Sequence, residues 1–228
     1  GEPFCFDNQT LFQCHNKKLL KNENGIFSVY NKTANGSYTG QGWVLKRSID
    51  NGLTWTDVHT DTAYFGPPCM EQDSSGNIYL INDDTISTSE LLIFSSPNYG
   101  SPSSFAITSI SAGKHSMILD EDNDRIYYFK ANEKLKILNL SGTTLSTVTL
   151  LQDGPNAYCQ YPFFTKDANG NIYFAWVTDD HLGPAFYRNI GFIVSRDLGV
   201  TWEKMDGTNL TLPIVADETG SAEMISLI

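Results

Sequence analysis

The sequence predicts an all-β protein assembled from a repeated unit of about four strands. Aromatic residues make up 12% of the 228 residues, and short apolar stretches alternate with Asn-Gly and Asp-Gly turn signals, as is typical of strands. A phrase of a polar turn followed by Ile and an aromatic residue recurs at Ile26, Ile78, Ile126 and Ile172. A period near 48 residues without a helical pattern matches a propeller blade. We therefore expect a β-propeller of four-stranded antiparallel blades, with four to five blades present.

A second phrase, S-x-D-x-G-x-T-W, occurs twice and in phase with the first. Its copies start at Ser48 and Ser195, which are 147 residues or about three periods apart. The spacing predicts a tight turn in which the Asp carboxylate accepts backbone N–H groups, the Gly takes a positive φ and the Trp ring is buried. The residues assigned to these structural turns are Ser48, Asp50, Gly52, Thr54 and Trp55, and Ser195, Asp197, Gly199, Thr201 and Trp202.

Both phrases resemble a known repeat. S-x-D-x-G-x-T-W is similar to the Asp-box of BNR repeats, which are found in sialidases and other β-propellers. The segment 161–214, with ANGNIYFAW and RNIGFIVSRDLGVTWEKMDGTNLTLPI, resembles the BNR-4 family. The resemblance implies a six- or seven-bladed ring of which this chain supplies part, and a structural role for the Asp-boxes. Because some members of that wider group are polysaccharide lyases, it also implies a polysaccharide or glycan as partner.

The two ends of the chain are interpreted separately from the repeats. We expect residues 1–20 to form an extension or closing strand that contains a disulfide, and residues 21–228 to form the propeller. Gly220 is expected to begin a fifth copy. A ring with too few blades leaves strand edges open to pairing with another chain. Self-assembly through open blade edges is therefore a further expected interaction.

Cysteines and glycosylation sequons favour an extracellular protein. An even cysteine count fits disulfides, and the expected pairs are Cys5–Cys14 and Cys69–Cys159, with other pairings and four free thiols as alternatives. The sequons stand at Asn8, Asn31, Asn35, Asn139 and Asn209, with Asn139 the strongest candidate and Asn209 the next. The sequence starts at Gly1 without an apolar leader, so we expect that a signal peptide has been removed.

Charge and arginine content exclude several classes of function. A net charge of −11 argues against nucleic acid as partner, and no apolar run approaches the ~18–20 residues that span a bilayer. An exo-sialidase, by resemblance, needs three arginines on the substrate carboxylate. The chain has only Arg47, Arg125, Arg188 and Arg196, and the first and last lie in or beside the Asp-boxes. An intact exo-sialidase is therefore not expected.

A polysaccharide lyase remains compatible with the residues present. β-Elimination from a uronic acid needs a base, an acid and a group that neutralises the carboxylate. His115, Tyr158 and Tyr161 precede or begin strands of two successive units, at positions that cluster around the channel of a propeller. We assign these three residues to proton transfer and Arg188 to the carboxylate. No second His follows His115 by about 20 residues, where similar lyases have one; residues 131–134 read ANEK.

Acidic turns offer candidate ligands for a metal ion. The run 120–124 (DEDND) and the turns that begin at Asp73 and Asp167 offer oxygen ligands for a structural calcium ion, but none has EF-hand spacing. We expect no cofactor and no metal site.

Two functional hypotheses follow from the sequence. The first is a secreted BNR-type β-propeller that acts on or binds extracellular polysaccharide, in a lyase-like manner if it is an enzyme. The alternative is a non-catalytic subunit that binds glycan, adheres or forms filaments.

Overall fold

A computed structural model describes residues 16–32, 42–61, 68–83, 88–108, 115–130, 134–154, 158–179, 187–216 and 222–226. These residues form strands and one short 3-10 turn, in two compact units, Gly1–Ala112 and Gly113–Ile228. Among them, no helix has the length and apolar character that crossing a membrane requires.

The first unit contains two four-stranded antiparallel sheets in which neighbours in sequence are neighbours in space. Sheet 1 consists of β1 (Leu19–Asn22), β2 (Gly25–Lys32), β3 (Gly42–Ser48) and β4 (Thr56–Asp61). Sheet 2 consists of β5 (Cys69–Gln72), β6 (Ile78–Asp83), β7 (Thr88–Phe94) and β8 (Ser103–Thr108). Side chains of the two sheets form one core, in which Phe27, Trp43, Leu80 and Phe94 are fully buried. Burial of these apolar side chains holds the two blades together.

The second unit repeats this arrangement. Sheet 3 consists of β9 (His115–Asp120), β10 (Arg125–Lys130), β11 (Leu135–Leu138) and β12 (Thr144–Val148), and β13 (Leu151–Gln152) follows it. Sheet 4 consists of β14 (Tyr158–Lys166), β15 (Ile172–Asp179), β16 (Tyr187–Ser195) and β18 (Glu223–Ser226). Strand β17 (Ile214–Val215) pairs in parallel with β13. Phe174 lies at the centre of the core, with its ring centroid 4.8 Å from that of Phe129, 4.7 Å from Phe164 and 5.7 Å from Trp176.

The four-stranded antiparallel blades predicted from the repeat are confirmed. Ile78, Ile126 and Ile172 each lie on the second strand of a sheet, with a partner strand on both sides. The expectation of a fifth copy near the C-terminus is corrected, because Glu223–Ser226 pairs with β16 and supplies the outer strand of sheet 4. The parallel β13–β17 pair has no counterpart in the repeat and was not predicted.

The proposed Cys69–Cys159 disulfide is wrong. Both residues are buried free thiols, and they lie in different units, on the first strands of sheets 2 and 4. The Cys69 thiol donates to the carbonyl oxygen of Ile81 at 3.9 Å, and burial raises the pKa of this thiol to about 12. Cys69 therefore behaves as a small apolar side chain in its own sheet. The Cys5–Cys14 pair lies outside the described residues.

Two further expectations are corrected by burial. Asn31 is fully buried within β2, so the folded protein cannot carry a glycan on it. Both Trp rings of the S-x-D-x-G-x-T-W turns were expected to be buried. Trp202 is only 1% exposed, but Trp55 is 36% exposed. Asn209 is exposed and Asn139 is half-buried, so glycosylation there stays a prediction. Asn8 and Asn35 lie outside the described residues.

Candidate functional site

The predicted catalytic residues lie at one edge of the two sheets in the second unit. We call the edge at which the first strand of a sheet begins its upper edge. His115 is the first residue of β9 and Tyr158 is the first residue of β14. The far ends of these two strands are joined, because Lys166 Nζ donates to Asp120 Oδ1 at 2.6 Å. Because β9 and β14 also pack against each other along their length, the two strands run in the same direction, which places His115 and Tyr158 at the same edge.

Strand pairing adds two charged residues to this upper edge. Lys130 ends β10 directly opposite His115, and Asp179 ends β15 directly opposite Tyr158. Directly opposed residues of antiparallel strands have Cβ atoms about 4.5–5.5 Å apart and project from the same face. The upper edge thus combines imidazole, ammonium, phenol and carboxyl groups, which are the groups that proton-transfer chemistry uses.

Sequence reasoning missed Lys130. The position about 20 residues after His115, where a second His was expected, falls at residues 131–134, just past Lys130. A β-hairpin from β9 to β10 would have pointed to the last residue of the second strand, because this residue faces the first residue of the strand before it.

Exposure separates the candidate residues. Tyr158 is 39% exposed, whereas His115, Lys130 and Asp179 are buried. The His115 ring lies against that of Tyr128, with the centroids 6.1 Å apart. A ligand at the upper edge can therefore reach Tyr158 directly, whereas contact with His115 requires the edge to open.

Tyr161 lies in an irregular part of β14. The pairing with β15 shifts register between Gln160 and Phe163, and Tyr161 has a positive φ of 49°. Bulges of this kind re-aim side chains and are common next to active sites. Tyr161 is half-buried and lies three residues after Tyr158 on β14, where this strand is irregular.

Arg188 lies near the same edge, although only its backbone is described. It is the second residue of β16, next to Tyr187, which pairs with Asp179. The other three arginines have structural partners: Arg47 and Arg125 donate to backbone carbonyl groups, and Arg196 pairs with Glu203. Arg125 and Arg196 lie at the opposite edge of these sheets and Arg47 lies in sheet 1, so the assignment of Arg188 to a substrate carboxylate stays a prediction.

The two S-x-D-x-G-x-T-W turns have nearly the same hydrogen bonds. Asp50 Oδ1 accepts the backbone N–H of Thr54 at 2.8 Å and Oδ2 accepts its hydroxyl at 2.6 Å. Asp197 does the same with Thr201, at 2.8 and 2.6 Å. The hydrogen bonds from Thr54 make the largest contribution to lowering the pKa of Asp50, which falls to about 2. The carboxylates thus hold the turns, through the hydrogen bonds that the spacing predicted.

The glycines of these turns have the predicted backbone. Gly52 and Gly199 have φ of 92° and 86°, a region that favours glycine. The turns differ in the position of the Trp ring, because Trp202 packs into the core of the second unit whereas Trp55 Nε1 donates to the carbonyl oxygen of Gly52 at 3.1 Å.

The acidic turns considered for calcium use their carboxylates in structural hydrogen bonds. Asp73 accepts the backbone and side-chain N–H groups of Asn77, both at 2.8 Å, and Asp167 accepts those of Asn171 at 2.9 and 2.8 Å. Asp120 is fully buried and accepts from Lys166. In the described part of the chain, no three His, Cys, Asp or Glu residues are grouped in a way that could hold a metal ion.

The second unit matches a known family. Residues 119–226 match the family described as BNR repeat-containing family member, in agreement with the resemblance of the segment 161–214. No curated protein matches the sequence.

Solved structures share the fold. One is a polysaccharide lyase, an ulvan lyase bound to a saccharide of glucuronic acid and rhamnose 3-sulfate, with TM-score 0.67 and 13% identity. The alignment covers 96% of this chain, which spans 60% of the lyase chain. Another is a protein of unknown function from Dyadobacter fermentans, with TM-score 0.55, 16% identity, and coverage of 82% of this chain and 66% of that one. At these identities the likeness establishes the fold, a β-propeller.

Proposed function

We propose that this BNR-repeat β-propeller is a secreted protein that binds an extracellular polysaccharide at the upper edge of sheets 3 and 4. The observation that carries the proposal is the position of four polar side chains at that edge, with His115 opposite Lys130 in sheet 3 and Tyr158 opposite Asp179 in sheet 4. The saccharide ligand of the similar ulvan lyase supports a glycan as the bound molecule.

Tyr158 is the residue that the ligand contacts first. Its exposed phenol offers an apolar ring face for a sugar and a hydroxyl group for hydrogen bonding. Once the edge opens, the carboxyl group of Asp179 would accept hydrogen bonds from sugar hydroxyl groups. The ammonium group of Lys130 would bind acidic groups of the polysaccharide. Such a set of one aromatic platform and a few polar groups is typical of small-ligand sites.

The same residues support lyase-like chemistry as the finer form of this proposal. In β-elimination, a base removes the C5 proton of a uronate residue, the C4–O bond breaks, a C4–C5 double bond forms and an acid protonates the departing oxygen. His115 and either Tyr158 or Tyr161 would transfer the two protons, and Arg188 would neutralise the carboxylate.

Binding constants of Tyr158 variants test the proposal. For a polysaccharide found by screening, Tyr158→Ala should weaken binding about 5- to 30-fold, because loss of a contacting ring costs roughly 1–2 kcal/mol. Tyr158→Phe should bind nearly as wild type but lose turnover if the hydroxyl group transfers a proton. Leu145→Ala, at a residue of similar exposure on β12, is the matched control. Equal affinity of wild type and Tyr158→Ala would contradict the proposed site.

An ultraviolet assay separates enzyme from binding protein. A lyase generates an unsaturated uronate that absorbs in the ultraviolet, and His115→Gln should abolish this signal while the polysaccharide still binds. Binding by the wild-type protein without absorbance from any uronate polymer would favour a non-catalytic glycan-binding subunit.

Assembly is a second candidate function, and it rests on the outward face of sheet 4. Phe163 is 45% exposed there, and the register places Ala175 and Phe192 next to it in the sheet. Both of these are half-buried, so this face presents partly solvated apolar surface of the type that interfaces cover. If assembly uses this face, Phe163→Lys should reduce the mass of the particle in sedimentation while leaving glycan affinity unchanged.

A further inference from the structure

A polar pocket of about 530 Å³ lies at the lower edge of sheet 1, in the first unit. One wall is the β1–β2 turn, residues 21–26, and the other is the end of β3 with the start of the S-x-D-x-G-x-T-W turn, residues 47–49 and 51. The walls meet at Gly25, where an added Cβ would lie 2.4 Å from the carbonyl oxygen of Ser48. The backbones of the two walls are therefore in contact at Gly25.

Arg47 is a fixed cation in the pocket wall. Its Nε and Nη2 atoms donate to the carbonyl oxygen of Asn24 at 2.9 and 2.6 Å, and Nη1 donates to that of Pro97 at 3.3 Å. The guanidinium carbon also lies 5.0 Å from the ring centroid of Tyr99 and 5.7 Å from that of Phe27. These contacts use three of its five N–H groups. Two donors remain on a group whose rotamer is already fixed, which lowers the entropy cost of binding an anion.

The rim supplies a second cation. Lys21 is exposed on β1, and its side chain makes no hydrogen bond or ion pair with the described residues. Glu23 is the one acidic residue among those lining the pocket, so the lining carries a net charge of about +1 in a chain of net charge −11. The nearby carboxylate of Asp50 is not part of the lining, and it accepts hydrogen bonds from Ser48 and Thr54. A lining with net positive charge favours an anionic ligand.

We propose that this pocket binds a small anionic group, a carboxylate or a sulfate, carried on a saccharide. Arg47 contacts the anion, Lys21 strengthens the attraction from the rim, and Asn51 and the apolar Ile49 contact the sugar ring. The choice of a saccharide as carrier rests on the proposed function, whereas the anion site itself does not, because the pocket belongs to a different sheet in a different unit.

Nitrogen-15 NMR of the full chain tests the pocket directly. Sodium glucuronate and glucose 6-sulfate should each shift the Arg47 Nε–H resonance and the backbone amides of Gly25 and Asn51, whereas glucose should not. Shifts with both anions identify a general anion pocket, and shifts with one alone identify its preferred group. Absence of shifts at these three positions with either anion would overturn the proposal.

A pair of lysine variants tests the charge contribution. Lys21→Gln should weaken the apparent affinity about 1.5- to 5-fold, the range expected for an exposed ion pair. Lys134→Gln, at another exposed lysine, should change nothing. Equal weakening by both would show non-specific charge attraction and contradict the proposal. Tyr158→Ala should leave these shifts intact, so failure at the upper edge and failure at this pocket are distinguishable.

Discussion

Gly191 on β16 provides the sharpest test of the packing that holds sheet 4. An added Cβ at this residue would lie 2.4 Å from Cζ2, 2.5 Å from Cε2 and 2.9 Å from Cη2 of Trp176. The indole cannot move aside freely, because its Nε1 donates to the carbonyl oxygen of Ala216 at 3.1 Å and its ring packs on Phe174. Gly191→Ala therefore overpacks a closed core.

The expected cost of Gly191→Ala is about 1–3 kcal/mol from overpacking. For a chain of this size, that cost lowers the Tm by roughly 2–12 °C. Differential scanning calorimetry measures it, and Gly100→Ala is the control, because an added Cβ there has no atom within 4 Å. Equal Tm for Gly191→Ala and wild type would refute the packing of Trp176 against β16. An equal loss in the control would show that contact with Trp176 is not the cause.

Three further predictions concern single side chains. Asp197→Ala should destabilise the chain by about 1–2 kcal/mol, since it removes charge-assisted hydrogen bonds at a solvated turn. Glycan affinity measured below the melting transition should not change. Loss of binding at unaltered Tm would contradict the structural role of Asp197. Burial lowers the pKa of His59, although Asp61 and Glu90 oppose the shift. Protonation of His59 should therefore cost the protein stability as the pH falls below 6.5. A His59→Gln variant with the same pH profile of stability would contradict this contribution of His59. Cys69 should react with a thiol reagent only after unfolding, and rapid labelling of the native protein would contradict its burial.

The sequence sufficed for the blades because their signals are local. The phrase D-x-x-G-N-I-Y at Asp73 and Asp167 predicts a turn and the strand after it, and both copies form the same hydrogen bonds. Asp50 and Asp197 likewise bond within four residues of themselves. Interactions of such short range can be inferred from residue type and spacing alone.

Features that depend on packing could not be inferred in this way. Trp55 and Trp202 occupy the same position in two copies of one pattern, yet only Trp202 enters a core. The reason is that residues 203–216 fold back beside Trp202. Hydrogen bonds join Glu203 to Val194 and Ile214 to Leu150. The Cys69–Cys159 pairing failed for a related reason, since an even cysteine count carries no information on which strands meet.

The sequence predicted the places of the candidate residues in the strands more accurately than their accessibility. The sequence placed His115 and Tyr158 at equivalent strand starts, and the strand register brings them to one edge. Burial of His115 depends on side chains far from it in sequence, and the opposed Lys130 became visible only through the pairing of β9 with β10.

Hydroxyl-radical footprinting of the wild-type protein tests the central claim, polysaccharide binding at the upper edge of sheets 3 and 4, most directly. With a saturating polysaccharide, oxidation of Tyr158 and Tyr161 should fall, while that of the exposed residues Trp55 and Leu145 should stay constant. Protection of Phe163 that grows with protein concentration and without glycan would instead report self-assembly. Unchanged oxidation of Tyr158 while the polysaccharide is demonstrably bound would contradict the account.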